Sequence, residues 1–493
     1  MPLLASKGHT PSPSISYEQF GAKGDGKTDD LEAIVKAHAY ANEEGLPVRA
    51  NDKATYYIGG GSQTAIIETD TDFGSAKFII DDREVQDARA FLFKVKSKLE
   101  SREIDSIEKL SEGQKTLDVD LKESSLILIT NSKKKQYIRK GGNQNSGSSQ
   151  RDIILVNESG KVDPSTPVIW DFESITEIKV IPMDKKTLKI TGGVFTTWPY
   201  SKVSTVYHAR GFSIERSHVE VKGMKHLIEK VGKDGPPYRG FLSISKCANV
   251  NVRDTIFTGR KTYHKIGSAG TRVPMGSYAI SVNTAVNVKF ENCSQTNDIL
   301  NRKYWGIMGN NFCKNLELDN CVFSRFDAHQ GVTNATVKNS EIGYMGILAI
   351  GHGRLLVENS TVKGRNFISF RPDYGSTWNG DVIIRNSKFI PLSKGKASVL
   401  TGRNTGDHDF GYPCYLPRNV SIENLQIHDV KNKSEVAIFG DFDSRYDSKK
   451  PGPHAFIPTE KVTLKNVKAE SKKDISLSHN PRIFAMTKVE VQE

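Results

Sequence analysis

The chain has 493 residues, with 69 Lys and Arg against 57 Asp and Glu, a formal charge of +12 and 41 glycines. That length can bury a long core as one extended domain, and no apolar run is long enough to cross a bilayer. Met1–Ser16 has neither the basic start nor the apolar stretch of a signal peptide, and the five cysteines, an odd count that is small for the length and without metal-type pairing, argue against a disulfide framework.

Tyr17–Val35, YEQFGAKGDGKTDDLEAIV, reads as a strand, a Gly-rich turn and then a helix. The helix opens with an Asp29-x-x-Glu32 capping box and has Ala33, Ile34 and Ala37 on its apolar face. The spacing of Gly21, Gly24 and Gly26 fits neither a dinucleotide fingerprint nor a P-loop, so the turn is not a phosphate cradle. A helix here suits the end of a stack of strands, which would otherwise present bare backbone and an open apolar column. Residues 85–185 are less regular: Lys96–Gln114 is a charged patch with helical character, followed by alternating strands and a polar tract, Gly141–Gln150. They read as an inserted or edge β-subregion, and regular coils begin near Lys186.

From residue 249 to 466 one phrase repeats: a β-branched, alternating stretch that closes on Asn, as in NVKFEN, NLELDN, NATVKN, RLLVEN, VIIRN, VSIEN and VTLKN. The anchors are Asp254, Asn292, Asn320, Asn339, Asn359, Asn386, Asn424 and Asn466, about twenty residues apart in the middle and about twice that elsewhere. Each phrase has the period of two of a strand with one buried face. Stacked in register, Val286, Val288 and Phe290, then Leu316 and Leu318, then Leu356, then Val382 and Ile384 form continuous apolar columns. Asn adopts the left-handed turn conformation at low cost, and its amide can bond the Asn one coil away. The cysteines, Cys247, Cys293, Cys313, Cys321 and Cys414, read as core residues, two of them directly following a ladder Asn.

FGAKGDGKTDDLEAI, taken with the Asn ladder, resembles the pectate-lyase-like superfamily, which comprises polygalacturonases, polysaccharide lyases and phage tail-spike depolymerases. The resemblance covers the first forty residues and Asp254–Asn466. It implies an all-β, right-handed parallel β-helix with an N-terminal capping helix. The expected organisation is strand and cap over 1–50, early coils with the inserted subregion over 51–185, regular coils carrying the cleft over 186–470, and a tail or cap over 471–493. The resemblance also implies an acidic polysaccharide as partner, a secreted or cell-surface location, and a monomer or homotrimer.

In polygalacturonase-like proteins the catalytic aspartates follow the turn Asn by seven or eight residues. Laid on that pattern, Asn320 places Arg325, Asp327 and His329 at offsets five, seven and nine, on one face of the strand. Tyr344 falls at the offset of Arg325 in the next coil, and the coil after that supplies Arg365, Arg371 and Asp373. Elimination beside a uronate needs a cation to neutralise the carboxylate, a base for the C5 proton and an acid for the leaving oxygen. His329 is the expected base, with His352 as the alternative, Tyr344 the acid, and Arg325 or Arg371 the clamp. Inverting hydrolysis needs two carboxylates instead, which Asp327 with Asp298 or Asp373 would supply. The adjacent aspartate pair and the Arg-Ile-Lys of polygalacturonases are missing, however, and the Gly-His-Gly at Gly351–Gly353 falls too late in its coil. A third expectation, from another class, is a phage-type glycan-binding spike with little or no turnover.

Arg260, Lys261, Arg302, Lys303, Arg325, Arg365 and Arg371 follow the anchors on successive coils and predict a basic strip suited to an anionic chain. Trp378 and Trp305 are candidates to stack on a sugar face. No nucleic-acid module is visible, and the aromatic interleaving of single-strand binders is weak. No metal site is predicted. Asp441, Asp443 and Asp447 alternate like a calcium loop but lack its bidentate Glu, although the resemblance leaves calcium open as a cofactor, as in several lyases.

Overall fold

A computed structural model describes residues 13–402, 412–440, 456–478 and 484–492. The chain winds as a right-handed parallel β-helix in which each coil contributes strands to three parallel faces. The face that carries the Asn phrases runs through Leu188–Thr191, Val219–Lys222, Ala248–Arg253, Val286–Glu291 and Lys314–Asp319, and continues to Lys461–Lys465 and Lys488–Gln492. Its register is one unbroken column: Val250, Val288, Leu316, Ala335, Leu355, Val382, Val420 and Val462 lie opposite one another in turn. All eight are buried. In the coil ending at Asn359 the inward pair is Leu355 and Val357, while Leu356 points outward. The ladder Asn sets this, because the core side chains stand two and four residues before it in every coil.

Asn292, Asn320, Asn339, Asn359, Asn386, Asn424 and Asn466 all have left-handed φ, between 46° and 53°. Their amides bond along the stack, Asn320 to Asn292 at 2.7 Å and Asn466 to Asn424 at 2.8 Å. Asn339 accepts from Asn359 at 3.3 Å but donates to Asp319, at 2.9 Å, and not to the preceding Asn. A second ladder, not anticipated from the repeat, runs through Asn249, Asn287, Asn315 and Asn334 at the other end of the same strands. The five cysteines are free and buried.

The helix Leu31–Glu44 closes the N-terminal end with Leu31, Ala33, Ile34, Ala37 and Ala41 turned inward. The expected capping box does not form. Asp29 accepts from Leu31 N at 3.0 Å, Glu32 pairs outward with Lys36, and the Asp30 carboxylate turns back to accept from Lys23 N and Gly24 N. The helix start is thereby tied to the Gly-rich turn. Gly24 needs its lack of a side chain: φ is +60° and a Cβ would stand 2.8 Å from Ala54 Cβ.

Between Phe93–Val95 and Leu188–Thr191 the chain leaves the coils to form a four-stranded antiparallel sheet, in the order Ser148–Val156, Ser125–Gln136, Glu177–Pro182, Arg102–Ile104. Lys96–Gln114 contains the strand Arg102–Ile104 and no helix. Ile127, Ile129, Ile154 and Val156 face a small core of the insertion's own. On the opposite face Leu126, Ile153 and Leu155 pack on Ala248 and Val286 of the β-helix, as strand alternation requires. A buried ion pair, Lys314 with Asp152 at 2.6 Å, fastens the insertion to the ladder face.

Candidate active site

Two arms of the chain rise beside coils 302–373 and enclose a cleft of about 800 Å³. One arm is the tip of the insertion, Arg139–Asn143; the other is the antiparallel hairpin Tyr263–Ile266 with Arg272–Met275. The arms touch, with Ser268 Oγ donating to Gln144 O at 2.7 Å. Arg302, Trp305, Arg325, His329, Tyr344 and Arg371 line the coil side of the cleft.

Backbone irregularities aim two of these side chains. Against the preceding coil, Ala328 and Gln330 pair with the consecutive residues Asn310 and Asn311, so His329 is the extra residue of a bulge. Against the following coil, Phe323 pairs with Ile342 but Arg325 with Gly346. Tyr344 therefore stands in a two-residue bulge and not opposite Arg325, as the offsets predicted. Bulges of this kind re-aim side chains where a ladder would hold them flat. Glycine permits this one at Gly346, with φ +65°, and at Gly343, where a Cβ would lie 2.2 Å from Ile299 O.

The electrostatics are dense. Asp373 accepts from Arg371 through both carboxylate oxygens, at 3.1 and 2.7 Å, and forms an ion pair with the insertion's Arg139, whose Nε lies 2.8 Å away. Burial works to raise the Asp373 pKa, but Arg371 and Arg139 outweigh it and hold the carboxyl below its ordinary value. Asp327 is fully buried, 2.6 Å from Arg325 Nη2. That contact is off hydrogen-bond geometry, and neither Asp327 oxygen has a hydrogen-bond partner among the described residues. Its pKa is raised, burial overcoming Arg325 and Arg371. The Arg325 guanidinium lies 4.8 Å over the Trp305 ring and donates to Met308 O. His329 is pushed well below its ordinary pKa, first by burial and then by Arg371, Arg325 and Arg139. The ring is therefore neutral. Its Nδ1 lies 2.7 Å from Asn311 Oδ1; because that oxygen only accepts, Nδ1 carries the proton and Nε2 the lone pair.

The cleft thus gathers Arg325, His329, Tyr344, Arg371, Asp373 and Arg302, with Asp327 beneath them. Arg302 is exposed, its guanidinium 5.0 Å over the Tyr344 ring. Other expected residues lie elsewhere. His352 is buried under the insertion, held by Tyr137 OH at 3.0 Å, with Trp170 edge-on at 4.4 Å. Trp378 is 0% exposed and donates its indole N–H to Gly353 O, so its face is closed to a sugar. Arg260 is buried against the Tyr238 ring at 3.6 Å. Lys303 and Arg365 are exposed but do not line the cleft. Asp298 caps its own turn by accepting from Leu300 N. Arg139, Tyr207 and Tyr278 line the cleft and were not anticipated; Arg139 adjoins the polar tract Gly141–Gln150, read only as part of an inserted or edge β-subregion.

The cleft carboxylates do not fit calcium: Asp373 is bound by two arginines and Asp327 lies against a third, whereas calcium takes six to eight oxygens. No group of three or more His, Cys, Asp or Glu that would hold a metal occurs among the described residues, and Asp441, Asp443 and Asp447 lie outside them. No helix of the described residues is long and apolar enough to cross a membrane.

Long parallel faces, a helical N-terminal cap and a walled cleft on the coils define a parallel β-helix protein. The sequence matches no protein-family model and no curated protein. Among solved structures, the chain is similar to the tailspike gp61 of Pseudomonas phage phi297, at 13% identity over 97% of this chain and 84% of that one, with a TM-score of 0.56. It is also similar to the tailspike gp49 of Pseudomonas phage LKA1, at 14% identity, 96% and 84% coverage and a TM-score of 0.54. A third is the Gp54 tailspike of Acinetobacter baumannii phage AP22, solved with A. baumannii capsular saccharide, at 11% identity, 97% and 79% coverage and a TM-score of 0.54. The likeness extends over nearly the whole chain and establishes the fold.

Proposed function

We propose that the protein is a polysaccharide lyase that cleaves a uronate-containing acidic polysaccharide, glycosaminoglycan-like or pectin-like, by β-elimination in this cleft. The observation that carries the reading is a neutral imidazole with a free Nε2 held among Arg139, Arg325 and Arg371. A substrate carboxylate seated against the cleft arginines is neutralised, which acidifies the C5 proton beside it. His329 Nε2 takes that proton, the C5–H electrons form the C4–C5 double bond, the C4–O bond breaks, and Tyr344 protonates the departing oxygen. Hydrolysis by paired aspartates finds less support, because Asp327 is fully buried and Asp373 is tied to two guanidiniums. A glycan-binding spike without turnover is the second reading, supported by the tailspike neighbours, one of them solved with a saccharide. A secreted or surface location accords with either.

Incubation with a panel of uronate polysaccharides separates the readings. Elimination produces the ultraviolet absorbance of an unsaturated uronate. New reducing ends without that absorbance mean hydrolysis, and retained binding with neither product means a spike.

A further inference from the structure

Beneath the base of the hairpin Tyr263–Met275 lies a second, small cavity of about 20 Å³, lined by Tyr200, Tyr238, Arg260, Lys261, Tyr263 and Ser277. Arg260 is 3% exposed, and its Nε and Nη2 have no hydrogen-bond partner among the described residues. The nearby carboxylate cannot serve it. Asp82 is fully buried and already accepts from Arg210 Nε at 2.9 Å and Tyr238 OH at 3.0 Å. Arg210 spends its other nitrogens on Gly59 O and Gly61 O. His208, whose pKa is lowered to about 4 by burial and then by Arg260 and Arg210, adds no charge at neutral pH. Behind the pocket wall, the buried guanidiniums of Arg260 and Arg210 thus share the single carboxylate of Asp82, and two nitrogens of Arg260 stand unsatisfied where an unpaired buried charge is costly. Lys261, on the rim, donates to Gly232 O and Lys233 O and adds a further positive charge. No carboxylate lines the cavity.

We propose that this cavity binds one small inorganic anion of halide size, held by Nε and Nη2 of Arg260. The volume admits an occupant of one or two water-sized probes, which excludes a sugar carboxylate carried on its ring. The site is separate from the cleft. It underlies one of the cleft walls, so its occupant stabilises the hairpin through the chain from Arg260 to Tyr263.

The test compares thermal unfolding of the full chain in sodium chloride and in sodium gluconate at equal ionic strength, gluconate being too large to enter. Chloride is expected to raise Tm saturably, by about 1 °C or more at tenfold excess over its Kd, and Arg260→Met is expected to abolish the difference. Anomalous diffraction from a bromide-soaked crystal of the unaltered protein gives an independent reading if that variant does not fold. A bromide peak within hydrogen-bond distance of Arg260 Nε and Nη2 supports the site. Water alone at that position, equal Tm in the two salts, or a chloride effect that persists in Arg260→Met overturns it.

Discussion

His329 owes its proposed role to its surroundings more than to its place on a strand. Burial and three guanidiniums keep the ring neutral, and Asn311 fixes which nitrogen bears the proton. Replacement by Ala should lower turnover by about two to four orders of magnitude while leaving Tm near that of the parent, read from initial rates and thermal unfolding. Because the pKa is lowered well below 6.5, the base stays unprotonated as pH falls through neutrality. The acid limb of kcat/KM should therefore lie well below pH 6.5, and a limb at or above that value would remove His329 as the base. The arginines divide into two kinds. Arg302 is exposed, so Arg302→Ala should weaken substrate binding most at low salt with little change in stability. Arg325→Ala leaves Asp327 buried without its cation and should cost about 3–5 kcal/mol of stability, measured by urea unfolding. Strand alternation put Arg325, Asp327 and His329 on one strand face, but Asp327 lies buried beneath the cleft and His329 enters it at a bulge not readable from that alternation. Tyr344 reached the cleft for a reason the spacing did not contain: the equal offsets from Asn320 and Asn339 assumed straight strands, and a two-residue bulge intervenes.

Among the elements, the Asn ladders carry the most local stability information. Asn320→Ala deletes the bond to Asn292 and puts Ala, which lacks the tolerance of Asn for the left-handed conformation, at φ 52°, with an expected loss of about 1–2 kcal/mol by urea unfolding. Asn320→Gly, which tolerates that φ, should recover part of it. The first ladder was readable because its Asn ends each phrase. The second was not, since Asn249, Asn287, Asn315 and Asn334 sit where any outward polar residue satisfies the alternation. The insertion was visible as an interruption, but its reach was hidden: the contacts of Tyr137 with His352 and Arg139 with Asp373 span more than two hundred residues of sequence. His352 was misplaced for that reason, because a face that looks outward in one coil is covered once the insertion folds down on it; Trp378 was misplaced because it turns into the core of the coils and donates to Gly353 O.

Over the whole molecule, buried histidines predict an acid response. In the unfolded chain each ring takes up a proton as pH falls through about 6.5. In the folded chain burial lowers His38 and His352 to about 3, and burial with Arg260 and Arg210 lowers His208 to about 4. The unfolded state therefore binds more protons below about pH 6.5, and stability should fall with pH from there down towards 4, by on the order of 2 kcal/mol per ring at pH 5. Tm measured across that range tests the sign. Taken whole, the β-helix supplies a rigid floor, and the insertion and hairpin convert one stretch of it into an arginine-rich cleft. The most direct measurement of that arrangement is a crystal structure of His329→Ala with a uronate oligosaccharide bound. A sugar carboxylate against Arg371 and Arg325, with C5 of the same residue turned toward position 329 and the leaving oxygen toward Tyr344, is the predicted result. An oligosaccharide lodged on another face of the coils, or lying in the cleft with its carboxylates directed away from those arginines, would contradict the account.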